Sequence, residues 1–83
     1  MDYFLKPSAL KDLQKLPKEL QKRIIKKLDF YTSSPFHLEF AERLQGREFG
    51  EYRYRVGDYR IFFDSGKNRI IILRIKHRRE AYR

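Results

Sequence analysis

The chain has 83 residues, no cysteine and a formal net charge of +9. That length holds one compact domain, and the lack of cysteine excludes a disulfide framework or a thiolate metal site. No stretch is long and apolar enough for a membrane span, and so large a charge on so small a body points to a polyanionic partner.

A hydrophobic content of 41% and an aromatic content of 16% favour folding over disorder. Residues 1–7 contain no apolar run of the signal-peptide kind, so a cytoplasmic setting is expected. Tyr3-Phe4-Leu5 is a short β-prone run closed by Pro7. Ser8 reads as the N-cap of a helix carrying Leu10, Leu13 and Leu16. Pro17 breaks that pattern and suits the start of a second helix. There Leu20, Ile24, Leu28 and Tyr31 form a stripe, with Ile25 beside it and Lys18, Lys22, Arg23 and Lys26 largely off it. Residues 8–32 are therefore expected to form an αα-hairpin with one apolar side, ended by Ser33-Ser34-Pro35.

Residues 36–48 read two ways, as a short helical turn carrying Phe36, Phe40, Ala41 and Leu44 or as an irregular packed segment. Gly46 and Gly50 bracket a loop. From Tyr52 the period becomes two, giving strand candidates at 52–56, 59–64 and 69–75. Gly57-Asp58 suits a type II′ turn, and Ser65-Gly66-Lys67-Asn68 joins the second strand to the third. The connections make an antiparallel meander. Residues 76–83 are a polar tail with Tyr82 near its end. The expected fold is a single α+β domain over 1–83. It has a small antiparallel-rich sheet, element order β-α-α-β-β-β, and the helical hairpin packed on one face.

The charge is unevenly placed. Residues 1–42 carry seven Lys, one Arg and six acidic side chains, whereas residues 43–83 carry ten Arg, two Lys and five acidic ones. Lysine on a helix is ordinarily a solvated surface, but concentrated arginine suits bidentate recognition of phosphate. Counting outward from a two-residue turn pairs Val56 with Tyr59, Arg55 with Arg60, Tyr54 with Ile61 and Arg53 with Phe62. Tyr52, Tyr54, Val56, Tyr59, Ile61 and Phe63 then share one apolar side facing the helices. Arg53, Arg55 and Arg60 share the other. Like charges opposed across strands destabilise a sheet, so the crowding needs a reason. A bound phosphate backbone supplies one; salt bridges to Glu48, Glu51 or Asp64 supply another.

The tail adds Lys76, His77, Arg78, Arg79 and Tyr82. RNA can be cut by its own 2′-hydroxyl, given a base there, a cationic clamp on the phosphate and an acid at the departing 5′-oxygen. His77 titrates near neutrality in an ordinary setting and Tyr82 carries an exchangeable proton, although each is also ordinary surface. No phosphate-binding glycine loop and no metal-ligand cluster is present, so no cofactor and no metal are expected. Hydrolysis of DNA without a metal would lack a nucleophile generator, whereas RNA brings its own nucleophile.

The run Tyr52-Arg53-Tyr54-Arg55-Val56-Gly57-Asp58-Tyr59-Arg60-Ile61-Phe62-Phe63 resembles the signature of the RelE/ParE toxin superfamily. Leu44-Gln45-Gly46 upstream and Ile75-Lys76-His77-Arg78-Arg79-Glu80-Ala81-Tyr82 downstream resemble its flanks, so the likeness covers essentially the whole chain. RelE-type members cut mRNA in the ribosomal A site without metal. By position, the resemblance implies a catalytic set of Arg53, Arg55, Arg60, Arg78 and Tyr82, with His77 where members carry Lys or His. Arginines stand here where the best-known member has lysines; arginine cannot serve as a base, which moves that role toward Tyr82 or a carboxylate such as Glu48 or Glu51. The resemblance further implies a toxin of a type II toxin–antitoxin system with ribosome and mRNA as targets. It also implies a partly disordered, acidic, RelB-like antitoxin, through which the complex binds operator DNA. Two other readings are a ParE-like gyrase inhibitor of the same fold and a non-catalytic basic RNA-binding module.

Overall fold

The structure is a computed structural model, and it describes residues 1–46 and 49–81. In chain order it runs β1 (Asp2–Leu5), α1 (Pro7–Gln14), α2 (Lys18–Ser33), a 3-10 turn (His37–Phe40), β2 (Ala41–Arg43), β3 (Tyr52–Val56), β4 (Tyr59–Ser65), β5 (Arg69–His77) and α3 (Arg78–Ala81). The five strands form one sheet of order β1-β5-β4-β3-β2. Only the β1–β5 pair is parallel; β2, β3, β4 and β5 are successively antiparallel.

The pairing of β3 with β4 follows the count from the turn: Val56↔Tyr59, Arg55↔Arg60, Tyr54↔Ile61 and Arg53↔Phe62. Gly57 takes φ 58°, and among the described residues no non-glycine residue has positive φ, so only the first turn position is left-handed, as a type II′ turn requires. The hairpin lays Ala9, Leu13, Ile24 and Leu28 on the sheet face formed by Tyr54, Val56, Ile61, Phe63, Ile70, Ile72 and Ile75. All of these are buried, and each large side chain removed from water contributes roughly 1.5–3 kcal/mol before entropy is counted.

Three expectations need adjustment. Ser8 does not cap α1: the helix begins at Pro7, which suits a first helical position, with Lys6 as N-cap. The Ser8 hydroxyl instead donates to the Leu73 carbonyl at 2.8 Å. The ambiguous segment after Pro35 resolves into the 3-10 turn and the edge strand β2, and the start of the polar tail extends β5 through His77 and then forms α3. A three-residue strand is too short to show a period, which is why β2 left no mark in the sequence.

β1 covers β5 only as far as Ile72, and α1 closes the edge beyond it. Lys6 N–H donates to the Ile72 carbonyl at 2.9 Å, and Ser8 satisfies Leu73. The Asp12 carboxylate accepts Ile75 N–H at 2.9 Å and the Arg74 guanidinium at 2.8 and 3.1 Å. Backbone groups that would template another strand are thus occupied by side chains.

Candidate functional site

The face of the sheet opposite the helices carries Arg53, Arg55, Arg60 and Lys76. Arg55 opposes Arg60, and Arg60 opposes Lys76. Three cations from three strands therefore lie in one transverse row, with Arg53 two residues along β3. Lys76 joins the row because of a bulge. Pairing passes from Phe62↔Arg74 to Phe63↔Ile72, leaving Leu73 unopposed. Ile72 and Ile75 both reach the core despite their spacing, and the alternation resets so that Lys76 faces the arginines. The signal was legible: strict alternation from Ile70 and Ile72 would bury Arg74 and Lys76, which a core does not accept.

Among the described residues, a carboxylate of β2 and the β3–β4 turn engage the crowded charges. Glu42 of β2 lies opposite Arg53, and its two oxygens accept Arg53 Nη2 at 2.7 Å and Arg55 Nη2 at 2.9 Å. The hydrogen bond from Arg53, then the charges of Arg53, Arg55 and Arg60, hold the Glu42 carboxyl below its ordinary range against the opposing effect of burial. Arg60 turns its Nη1 toward the carbonyls of Gly57 at 3.0 Å and Tyr59 at 3.1 Å. Among the described residues, the carboxylate bridging Arg53 and Arg55 therefore comes from β2 rather than from Glu51 or Asp64. Asp64 accepts Glu51 N–H at 2.9 Å, and Glu48 lies outside the described residues.

Exposure differs sharply within the row. Arg60 is buried, at 6% exposed, so its side chain is packed into the sheet rather than lying on the surface. The Arg53 side chain is 15% exposed and that of Arg55 58%. Lys76 Nζ lies 5.8 Å from the Phe49 ring centre and 3.9 Å from the Glu80 carboxylate. Phe49 also packs on Phe62 at 5.0 Å, covering the apolar side chain that alternation leaves on this face.

The remaining expected site residues lie elsewhere. His77 opposes Tyr59 on the helix side of the sheet, their rings edge-on at 5.4 Å, and its Nδ1 accepts Arg79 N–H at 3.2 Å. Arg78 stands at the rim: its N–H donates to the Asp58 carbonyl at 2.7 Å, and its Nε lies 3.8 Å from the Asp58 carboxylate. α3 is thereby tied to the β3–β4 turn beside Arg60. Tyr82 lies outside the described residues. Glu42 is the site member that the sequence did not single out; Lys76 was named there only as one of the tail's cations. Among the described residues, no three His, Cys, Asp or Glu side chains gather where they could hold a metal ion, and no helix is long and apolar enough to cross a membrane. Chemically, the row can grip phosphate through guanidinium forks and offers the Lys76 ammonium as a proton donor.

Comparison with known proteins gives consistent results. The family model described as the ParE toxin of the type II toxin–antitoxin system parDE matches residues 3–82. No curated protein sequence matches the chain. The toxin–antitoxin complex RelBE2 from Mycobacterium tuberculosis contains a chain that superposes with TM-score 0.75 at 24% identity, covering 92% of this chain and 95% of that one. The RelB–RelE antitoxin–toxin complex from Methanococcus jannaschii contains a chain at TM-score 0.67 and 29% identity, covering 95% of this chain and 94% of that one. In the archaeal RelE–RelB complex from Pyrococcus horikoshii OT3 the values are 0.71 and 29%, with 93% of each chain covered.

Proposed function

The chain belongs to the ParE toxin family, within the RelE/ParE superfamily of type II toxin–antitoxin toxins, and from that premise we propose that it is a metal-independent, ribosome-dependent endoribonuclease cutting mRNA in the A site. The observation that carries this reading is the row of Arg55, Arg60 and Lys76 with Arg53 beside it, on a face turned away from the helices. Such a row fits a ribose-phosphate backbone. In the reaction the 2′-oxygen attacks phosphorus as the P–O5′ bond breaks, leaving a 2′,3′-cyclic phosphate and a 5′-hydroxyl. Arg53, Arg55, Arg60 and Arg78 clamp the charge that develops on phosphorus. Tyr82, as its phenolate, takes the 2′-proton, and Lys76 protonates the departing 5′-oxygen. His77 faces Tyr59 and stands apart from the arginine row.

The partners of this reading are the ribosome, mRNA and a RelB-type antitoxin whose acidic segment folds over the basic surface, the complex binding operator DNA through the antitoxin. The second reading, a ParE-like gyrase inhibitor, is favoured by the description of the matching family model. Inducible expression separates the two. The expected result is growth arrest with mRNA 5′-ends mapping inside codons on ribosomes, and no effect of purified protein on gyrase supercoiling. Blocked supercoiling with intact mRNA assigns the gyrase reading, and EDTA-sensitive cutting of free RNA sinks the metal-free mechanism. Salt-dependent RNA binding without cleavage on ribosomes leaves a non-catalytic module.

A further inference from the structure

Two arginines side by side on β3, with a third opposite, repel one another unless an anion lies among them. The RNA-free protein supplies that anion itself. Each Glu42 oxygen binds one guanidinium, at 2.7 and 2.9 Å, which is the pattern that two non-bridging oxygens of a phosphate make on a pair of arginines. We propose that Glu42 is the internal occupant of an anion site, holding Arg53 and Arg55 at the spacing a phosphate requires, and that a backbone phosphate of bound RNA displaces it.

The surroundings suit displacement. Glu42 sits at the middle of β2, a three-residue edge strand paired on one side only. Its side chain is 49% exposed, and an ion pair so open to water is weakly held. The Arg53 side chain, 15% exposed, stays packed in the sheet when the carboxylate leaves. An incoming phosphodiester keeps the charge balance and adds its own chelation, so the exchange returns the arginines to a paired state. The donors are therefore already in place before RNA arrives, while naked RNA meets a competitor held at the site. The identity of the displacing ligand rests on the ribonuclease reading; the occupancy of the site by Glu42 does not.

The test uses two probes on the full chain: inorganic phosphate, followed through the arginine Nε–Hε signals in NMR titrations, and a short single-stranded RNA, followed by fluorescence anisotropy. Glu42→Gln keeps the shape and removes the charge. It is expected to bind both probes roughly tenfold more tightly than wild type, with the signals of Arg53 and Arg55 moving. In an Arg55→Ala background the gain should shrink, because one of the two competing contacts is gone. Thermal melting confirms that each variant is folded, and Glu42→Ala repeats the measurement if Glu42→Gln is not. Phosphate affinity unchanged or weakened in a folded Glu42 variant overturns the proposal and makes Glu42 a scaffold residue. A gain for phosphate with no RNA binding by any variant supports the occupancy and removes the ribonuclease reading instead.

Discussion

Lys76 and His77 sit on opposite faces of the sheet as neighbours in a strand do, and the unopposed Leu73 three residues before Lys76 decides which face each takes. On the proposed chemistry, Lys76→Met should lower single-turnover cleavage on programmed ribosomes by roughly 30- to 1000-fold, the usual cost of one charged contact in the transition state. His77→Ala should cost less; the reverse order would return His77 to the centre of the site. Arg60→Ala should lose stability as well as activity, by about 1–3 kcal/mol in denaturant titrations, since a buried side chain bonded to two turn carbonyls is removed. Tyr54 gives the opposite case. It is fully buried, its hydroxyl finds no hydrogen-bond partner among the described residues, and burial, then Tyr31, pushes its titration upward. Tyr54→Phe deletes a desolvated polar group, so stability should hold or rise by up to about 1 kcal/mol. A clear fall in the same titration would show that the hydroxyl is paired.

At the scale of elements, the β3–β4 hairpin was legible because a glycine-led two-residue turn fixes the register of everything beyond it, arginine face included. The hairpin stripe was legible in part. Ile24, Leu28 and Leu13 are buried as the spacing implies, but Leu10 is 42% exposed and Ala9, a residue with little pattern weight, is buried in its place. β2 and the bulge were not read, the one for want of length and the other because it breaks the alternation on which strand reading relies. The edge closure by α1 was also invisible, since Asp12 and Arg74 are 62 residues apart in sequence. Asp12→Ala leaves Ile75 N–H without its acceptor and Arg74 without its carboxylate. The expected loss is about 1–3 kcal/mol, and a variant as stable as wild type in urea titrations would show that the edge needs no closure.

For the whole molecule the balance of charge and titration sets an acid limit. Burial alone would raise Asp12, but the hydrogen bonds from Arg74 and Ile75 and the charges of Arg74 and Lys76 outweigh it and hold its carboxyl low. Glu42 is held low by its arginines, and His37 is held low by burial and by the N-terminal ammonium. In all three the unfolded chain takes up protons that the folded one resists, so stability is present at neutral pH and lost as pH falls. The decline should begin near the ordinary histidine value of 6.5 and steepen below the ordinary carboxylate values of 3.8 and 4.5. Repulsion within a chain of net charge +9 adds to it. Melting temperatures from pH 7 to pH 3 check this: Asp12→Asn should flatten the lower branch and leave the upper one in place. An unchanged lower branch would take Asp12 out of the account.

The parallel pairing of β1 with β5 has a consequence for synthesis. Asp2 aligns with Arg69 and Leu5 with Ile72, so β1 waits for β5 before its edge of the sheet is set. β5 also lies between β1 and β4, which means that a nascent chain lacking it has a helical hairpin with half of its floor missing. The polypeptide should therefore remain protease-sensitive on its own ribosome until β5 clears the exit tunnel, when Lys76 joins Arg55 and Arg60 in the row. On the proposed chemistry, a nascent chain without β5 lacks Lys76 and so cannot yet complete cleavage.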